Sequence, residues 1–245
     1  MGTKAFMTSQ QDLFDTLAQV GKALGSGHRL ALLERIAQGD ASVETLANTA
    51  DLTLGNASAH LQHLRRAGLV TATRSGKQMI YRLTDQRIVM LLGLLREVAE
   101  TNLAEMERLV SRVFADDNPD GALEAISRDE LLSGLKSGTM ELLDVRPKDE
   151  FEAGHLPEAI NIPLDQLETM LDALPRDREI IAYCRGPHCV LSHKAVHRRG
   201  RRGYPVGRFA GVFPGGKTPG LPNQKANDFR GGMPTLPQHK NDNSK

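Results

Sequence analysis

Hydrophobic residues in the first part of the chain recur every three or four positions, the spacing of helices that bury one face. After these helical stretches come two strand-like runs around a basic turn, which predicts a β-hairpin. Short helices followed by a hairpin are typical of a mainly α-helical winged helix-turn-helix that binds DNA. The predicted elements are a helix over Gln11–Leu24, a second after Ser26 that stops at Gly39, a third capped by Ser42, a fourth over about Gly55–Ala67, and strands over Leu69–Thr73 and Gln78–Leu83.

The fourth predicted helix has an apolar stripe of Ala57, Leu61 and Leu64, so its other side is left to face solvent or a ligand. The polar residues of this helix suit contact with phosphates and base edges. Ordinary solvation is the alternative interpretation for each one taken singly. The candidate DNA-binding residues are Asn56, Ser58, His60, Gln62, His63, Arg65 and Arg66 on the helix, with Arg74 and Lys77 at the hairpin tip.

The stretch Asn56–Val70, followed by Arg74–Leu83, resembles ArsR-type bacterial repressors, and the resemblance covers about Gln11–Phe114. It implies a homodimer that binds a double-stranded DNA operator. Metal sensors of that family carry a Cys-x-Cys motif on the third helix, where this chain has Val43–Ala47. Because the first half contains no cysteine, we exclude a thiolate metal site there and expect neither a metal nor a cofactor.

Apolar residues also line one face of Arg87–Phe114, which predicts a single long helix. The ArsR resemblance implies that this helix forms much of the dimer interface, and covering its own domain's core is the alternative. A Pro- and Gly-containing acidic run follows it and predicts a linker. The expected organisation is a DNA-binding and dimerisation domain over residues 1–115, a linker over 116–125, a second domain over 126–222 and a disordered tail over 223–245.

The second half alternates predicted strands and helices, which favours an α/β domain with a parallel sheet. Ligand sites of such sheets lie at the carboxyl ends of the strands. Cys184 stands at such an end, directly after the apolar run Ile180–Tyr183. The other predicted elements are strands over Met140–Val145 and Ile160–Pro163, and helices over Asp129–Lys136, after a Ser127 cap, and over Leu164–Leu174.

Cys184 and Cys189 are the only cysteines of the chain. Loop amides and a following helix can converge on the Cys184 sulfur and favour its thiolate, which suits a nucleophile. We therefore expect a depressed pKa at Cys184. For Cys189, a resolving thiol and a small buried apolar residue are equally good interpretations.

The run Leu143–Pro163 contains Asp-Val-Arg, Glu-Phe-x-x-Gly-His and Asn-Ile-Pro in that order, and it is very similar to the signature of rhodanese (sulfurtransferase) domains. The resemblance covers about Ile126–Pro222. It implies that Cys184 holds sulfane sulfur as a persulfide and passes it to an acceptor. Phosphatases of the same fold close a longer loop with arginine, and Val190 is not one, so phosphate-ester hydrolysis is the lesser alternative. In this interpretation the active-site loop is Arg185, Gly186, Pro187, His188 and Cys189, and Asp144 and Arg146 support it.

Composition limits where such a protein works. The formal net charge is +1, so a DNA-binding surface has to be a local basic patch. No run is apolar enough for a membrane span and no export signal is evident, which favours a cytoplasmic protein with reduced thiols.

Together the two halves predict a homodimeric repressor whose Cys184 senses sulfane sulfur or thiol oxidation. One alternative is a sulfurtransferase that the first half only localises to DNA. Another is a constitutive DNA-binding protein with an inactive rhodanese-like interaction module, which the unusually basic segment Leu191–Lys217 favours.

Overall fold

The computed structural model describes residues 10–115, 125–170, 174–175, 177–186, 189, 191–192, 194–196 and 206–209. Backbone contacts divide the chain into two compact units, residues 1–96 and 97–245. Among the residues described, no helix is both long and apolar enough to cross a membrane.

The first unit is built of helices and a small antiparallel sheet, as the hydrophobic pattern predicts. In the sheet, β3 lies between β1 and β2, and the hairpin pairs Arg74 with Met79 and Ser75 with Gln78. Gly76, at the turn, has a φ of +60°, a conformation that glycine adopts without strain. The elements are α1 (Gln10–Leu24), α2 (Gly27–Ala37), β1 (Ala41–Ser42), α3 (Val43–Thr49), α4 (Leu54–Arg66), β2 (Val70–Ser75) and β3 (Gln78–Leu83).

Side-chain caps fix the starts of two of these helices. The Ser42 hydroxyl accepts a hydrogen bond from the Thr45 amide at 3.2 Å. Thr53, the residue before α4, caps that helix in the same way, since its hydroxyl accepts from the Asn56 amide at 3.3 Å. Ser26, which the sequence places just before the second helix, is the N-cap residue of α2, but its hydroxyl makes no cap bond. Its main-chain carbonyl instead accepts from the Leu30 amide, which starts α2 without help from the side chain.

The core of this unit holds α4 in place. Ala57, Leu61 and Leu64, the predicted apolar stripe, are completely buried. Leu61 and Leu64 pack in one cluster with buried residues of α2, α3 and the hairpin, so the opposite side of α4 faces outward.

The prediction of a single long helix after the hairpin is wrong in one respect: in the structure, the helix is interrupted at Leu103. The structure has α5 (Arg87–Asn102) and α6 (Ala104–Ala115). Just before the break, Thr101 and Asn102 each donate a side-chain hydrogen bond to the carbonyl four residues earlier, both at 2.9 Å. Such bonds compete with the helical ladder, and threonine and asparagine are poor helix formers.

The second unit contains a five-stranded sheet among the described residues, in the order β4-β8-β7-β5-β6, with every pair parallel. The predicted parallel α/β sheet is therefore confirmed. Strands β4 and β8 were not predicted, and Ala125, the last residue of the predicted linker, begins β4. The elements are β4 (Ala125–Ile126), α7 (Arg128–Ser137), β5 (Met140–Asp144), α8 (Lys148–Ala153), β6 (Ile160–Asn161), α9 (Leu167–Met170), β7 (Glu179–Tyr183) and β8 (Val206–Phe209).

Buried side chains cover both faces of this sheet. Alternate residues of β7 point to opposite sides, so Ile180 and Ala182 join one cluster while Ile181 and Tyr183 join the other. The predicted Ser127 cap is confirmed, since its hydroxyl accepts from the Glu130 amide while the Glu130 carboxylate accepts from the Ser127 amide. Of the predicted helix Leu164–Leu174, the described residues show only α9.

Candidate functional site

Cys184 lies directly after β7, at the carboxyl end of a central strand of the parallel sheet. Its side chain is 2% exposed and packs in the same cluster as Leu143 and Ala182, which pair across β5 and β7. The strand thus delivers the thiol to the edge where ligand sites of such sheets lie, as the sequence predicts.

Among the described residues, three oxygen atoms lie close to the Cys184 sulfur. The Ser192 hydroxyl oxygen lies 3.2 Å from Sγ, the Cys189 carbonyl oxygen 3.5 Å and the Gly186 carbonyl oxygen 3.9 Å. Carbonyls only accept, so they pair with the protonated thiol. A hydroxyl can turn its proton towards the sulfur, so Ser192 is able to stabilise the thiolate.

Burial raises the pKa of Cys184, but hydrogen bonds outweigh this effect and bring the pKa down to about 7. The donors are the Cys189 thiol, the Ser192 hydroxyl and the amides of Ser192 and Gly186. The pKa of Cys189 is raised, chiefly because its thiol proton is held by the Cys184 sulfur and also by burial. The two cysteines therefore differ in the direction that the sequence predicts, with Cys184 as the thiolate.

Arg208 supplies a further positive charge that sequence reasoning missed. Its strand β8 pairs with β7 so that Arg208 is opposite Ala182, on the same face as Cys184. Burial lowers the pKa of Arg208, and the negative charge of the Cys184 thiolate partly offsets this effect. A guanidinium on this face favours a negative sulfur.

Asp144 and Arg146 form a fully buried ion pair beneath the loop. The Asp144 carboxylate accepts from the Arg146 guanidinium at 2.6 Å and 3.0 Å, and the guanidinium also donates to the Gly154 carbonyl at 2.8 Å. The guanidinium carbon lies 5.8 Å from the centre of the Tyr183 ring, and Tyr183 immediately precedes Cys184. The pair thus links the ends of β5 and β7 to the residue that follows α8.

Arg185 forms an ion pair with Glu150. Its guanidinium donates to both carboxylate oxygens of Glu150, at 2.9 Å and 2.5 Å, and Glu150 on α8 is itself buried. Glu150 was not among the residues that the sequence singled out. Of the other predicted loop residues, Pro187 and His188 lie outside the described residues.

A groove of about 550 Å³ borders the loop at Arg185 and Leu191. Lys148, Asp165 and Gln166 supply its other polar lining. Most of the remaining wall is apolar and comes from Val145, Pro147, Pro163 and Leu164.

The predicted DNA-binding residues lie on α4 and the hairpin of the first unit. The exposed ones are Asn56, Gln62, His63, Arg65, Arg66, Arg74 and Lys77, while Ser58 and His60 are half-buried. His60 lies towards α2, where its ring stacks on His28 with 5.5 Å between centroids. Burial lowers the pKa of His60, as do the charges of His28, Arg29 and His63. Seven of the nine candidates are thus presented to solvent.

Comparison with known proteins finds a match for each of the two halves of the chain. Residues 24–72 match the model of a helix-turn-helix domain family, and residues 127–216 match that of the rhodanese-like domain. The HTH-type transcriptional regulator Rv0324 of Mycobacterium tuberculosis is 42% identical over 194 residues, which cover 78% of this chain and 84% of the relative. The chain belongs to the ArsR-type transcriptional regulators that carry a rhodanese-like domain.

Other similar proteins match the first unit of this regulator. The HTH-type transcriptional regulator CmtR of Mycobacterium bovis is 39% identical over 82 residues, 34% of this chain and 70% of the relative. The solution structure of the homodimeric winged helix-turn-helix DNA-binding domain of Mb0332 from the same organism is 37% identical, covers 43% of this chain and 95% of that chain, and has a TM-score of 0.38.

The regulator also leaves large apolar side chains in solvent. On α5 these are Met90, Leu91, Leu94, Leu95 and Val98, and on α1 they are Leu13, Phe14 and Leu17. Single exposed apolar residues are ordinary, but a row of them along two helices is typical of an interaction surface. Within the ranges that the structure describes, no three His, Cys, Asp or Glu side chains come together as a metal site would require.

Proposed function

We propose that this regulator is a cytoplasmic repressor whose affinity for its operator responds to persulfide formation or oxidation at Cys184. The observation that carries the proposal is the thiol of Cys184, whose pKa lies near 7, in the same chain as a helix-turn-helix. At neutral pH about half of such a thiol is thiolate, against a few per cent of an ordinary one. The thiolate is the form that attacks sulfane sulfur.

We propose further that α4 and the hairpin form the DNA interface. Seven exposed candidates there, four of them Arg or Lys, give a local basic surface on a chain of net charge +1. The core-facing stripe of α4 leaves its polar side outward, as a recognition helix requires.

The homodimer is part of the same proposal. The exposed apolar rows of α1 and α5 supply a surface that a second copy can cover, and a two-fold dimer matches a palindromic operator. The structure of the Mb0332 fragment is named as homodimeric.

The test is operator binding by the full-length regulator and by Cys184→Ser, each with and without a hydropersulfide donor. We expect the donor to change the affinity of the wild type and to leave the variant unchanged. Equal basal binding by the two proteins serves as the control for folding. A donor response that persists in Cys184→Ser would contradict the proposal.

A further inference from the structure

The charges around the groove beside the Cys184 loop are largely neutralised. The Arg185 guanidinium donates through two of its nitrogens to the two oxygens of the buried Glu150 carboxylate. Lys148 lies 3.7 Å from the carboxylate of Glu152, and Asp165 adds a negative charge to the lining. Among the described residues, each cation of the groove therefore has a carboxylate partner.

The rest of the groove lining is apolar and is therefore unfavourable for a charged ligand such as a dianion. Val145, Pro147, Pro163, Leu164 and Leu191 offer carbon surface to whatever occupies the groove. Moving a charge into such surroundings without a free counter-charge is costly, whereas burying an alkyl group is favourable.

On the basis of the function proposed above, we propose that the sulfur donor of Cys184 is a low-molecular-weight hydropersulfide with an uncharged, apolar carbon group, rather than thiosulfate. The groove holds the carbon group next to the loop. The Glu150–Arg185 pair disfavours donors that would need the Arg185 guanidinium as their counter-charge.

The transfer balances without an added oxidant or reductant. The Cys184 thiolate attacks the outer sulfur of R–S–SH, a new S–S bond forms and the original S–S bond breaks. The leaving RS⁻ takes the proton of the transferred sulfur, so the products are the Cys184 persulfide anion and the thiol RSH. With thiosulfate the leaving group is the sulfite dianion, which Arg185 is not placed to receive while it is bound to Glu150.

The experiment gives the full-length regulator three donors: an alkyl hydropersulfide, the same compound with a terminal sulfonate, and thiosulfate. Mass spectrometry of the Cys184 peptide measures the rate of sulfur addition, and each rate is divided by that of a free low-molecular-weight thiolate to remove intrinsic reactivity. We expect the corrected rate of the uncharged donor to exceed that of each anionic donor about tenfold or more, the effect of one unfavourable charge in a partly buried site.

Two variants test the cause. Glu150→Gln removes the negative charge that neutralises Arg185, and Asp165→Lys adds a cation to the lining at an exposed position. Each should narrow the gap between uncharged and anionic donors, and Asp165→Lys keeps the test valid if Glu150→Gln unfolds. Equal corrected rates for all three donors in the wild type would overturn the donor assignment while leaving Cys184 as the sensor. Failure of every donor to modify Cys184 would overturn the proposed function itself.

Discussion

The hydroxyl oxygen of Ser192 lies 3.2 Å from the sulfur of Cys184, and both side chains are buried. Ser192 is the only side-chain hydroxyl in contact with this sulfur among the described residues, and it can donate once the thiol proton leaves. The pair joins the end of β7 to the backbone that follows the loop. It makes Ser192 a positioning and stabilising residue for the nucleophile.

Ser192→Ala is expected to raise the pKa of Cys184 above its present value of about 7. A hydrogen bond to a charged group contributes about 1.5–3 kcal/mol, which corresponds to about one or two pKa units. Because the thiol form dominates below the pKa, alkylation of Cys184 at neutral pH should slow by about tenfold or more. The pH dependence of iodoacetamide labelling measures this shift. Ser137→Ala, a hydroxyl bound elsewhere in the same unit, should leave the profile unchanged.

Cys189→Ala should also raise the pKa of Cys184, because the Cys189 thiol donates to the Cys184 sulfur. Cys189→Ser keeps a donor at the same position and should retain most of the low pKa. In both variants the Cys184 persulfide should still form. Loss of the persulfide in Cys189→Ser would instead make Cys189 a required partner in the chemistry.

Breaking the buried pair of Asp144 and Arg146 is expected to destabilise the second unit. Arg146→Met leaves a carboxylate with no exposure to water, and such a change costs about 3–5 kcal/mol. Thermal unfolding of Arg146→Met, Asp144→Leu and the double variant measures the coupling. The double variant should lose less stability than the sum of the single losses. Additive losses would contradict the described pair.

Neutralising Arg65 and Arg66 together should weaken operator binding and reduce its salt dependence. If both arginines contact phosphates, the slope of log K against log salt should fall by about two per protomer. Arg108→Gln, on α6 and ion-paired with Glu105, is the matched control and should leave the slope unchanged. An unchanged slope in the double variant would remove these two residues from the interface.

Replacing Leu94 and Val98 by lysine should dissociate the homodimer, because both are more than half exposed on α5 in the single chain and would place charges in an apolar interface. Sedimentation measures the mass of the full-length protein, and circular dichroism checks that the helices persist. Thr101→Lys adds the same charge to the same helix at a polar position and should leave the mass unchanged. A monomeric wild type would contradict the dimer directly.

The sequence predicted well those features that depend on local pattern. The stripe of Ala57, Leu61 and Leu64 determines which side of α4 is buried, and the run before Cys184 determines that the thiol ends a strand. Interactions between distant residues were not predictable in this way. Glu150 precedes Arg185 by 35 positions, and nothing in the sequence pairs them.

The missed strand β8 has a different cause. Its four residues include Gly207 and Arg208, so they lack the continuous apolar character of a buried strand, and only tertiary pairing with β7 reveals them. The break at Leu103 was not predictable because the apolar stripe continues across it. The side-chain hydrogen bonds of Thr101 and Asn102 to backbone carbonyls do not alter the spacing of the apolar residues.

The burial of Cys184 affects how fast its thiol can react with a molecule in solution. Because 2% of its surface is exposed, the thiol reacts when its surroundings open locally. The observed rate constant is then the equilibrium constant for opening multiplied by the rate constant of the exposed thiol. If Cys184 is the sensor proposed above, a brief pulse of donor would end before most molecules had been modified, whereas a sustained supply would modify the whole population. Under the function proposed above, the regulator would therefore integrate its exposure to the donor, because the surroundings whose hydrogen bonds lower the pKa of Cys184 also slow the access of the donor.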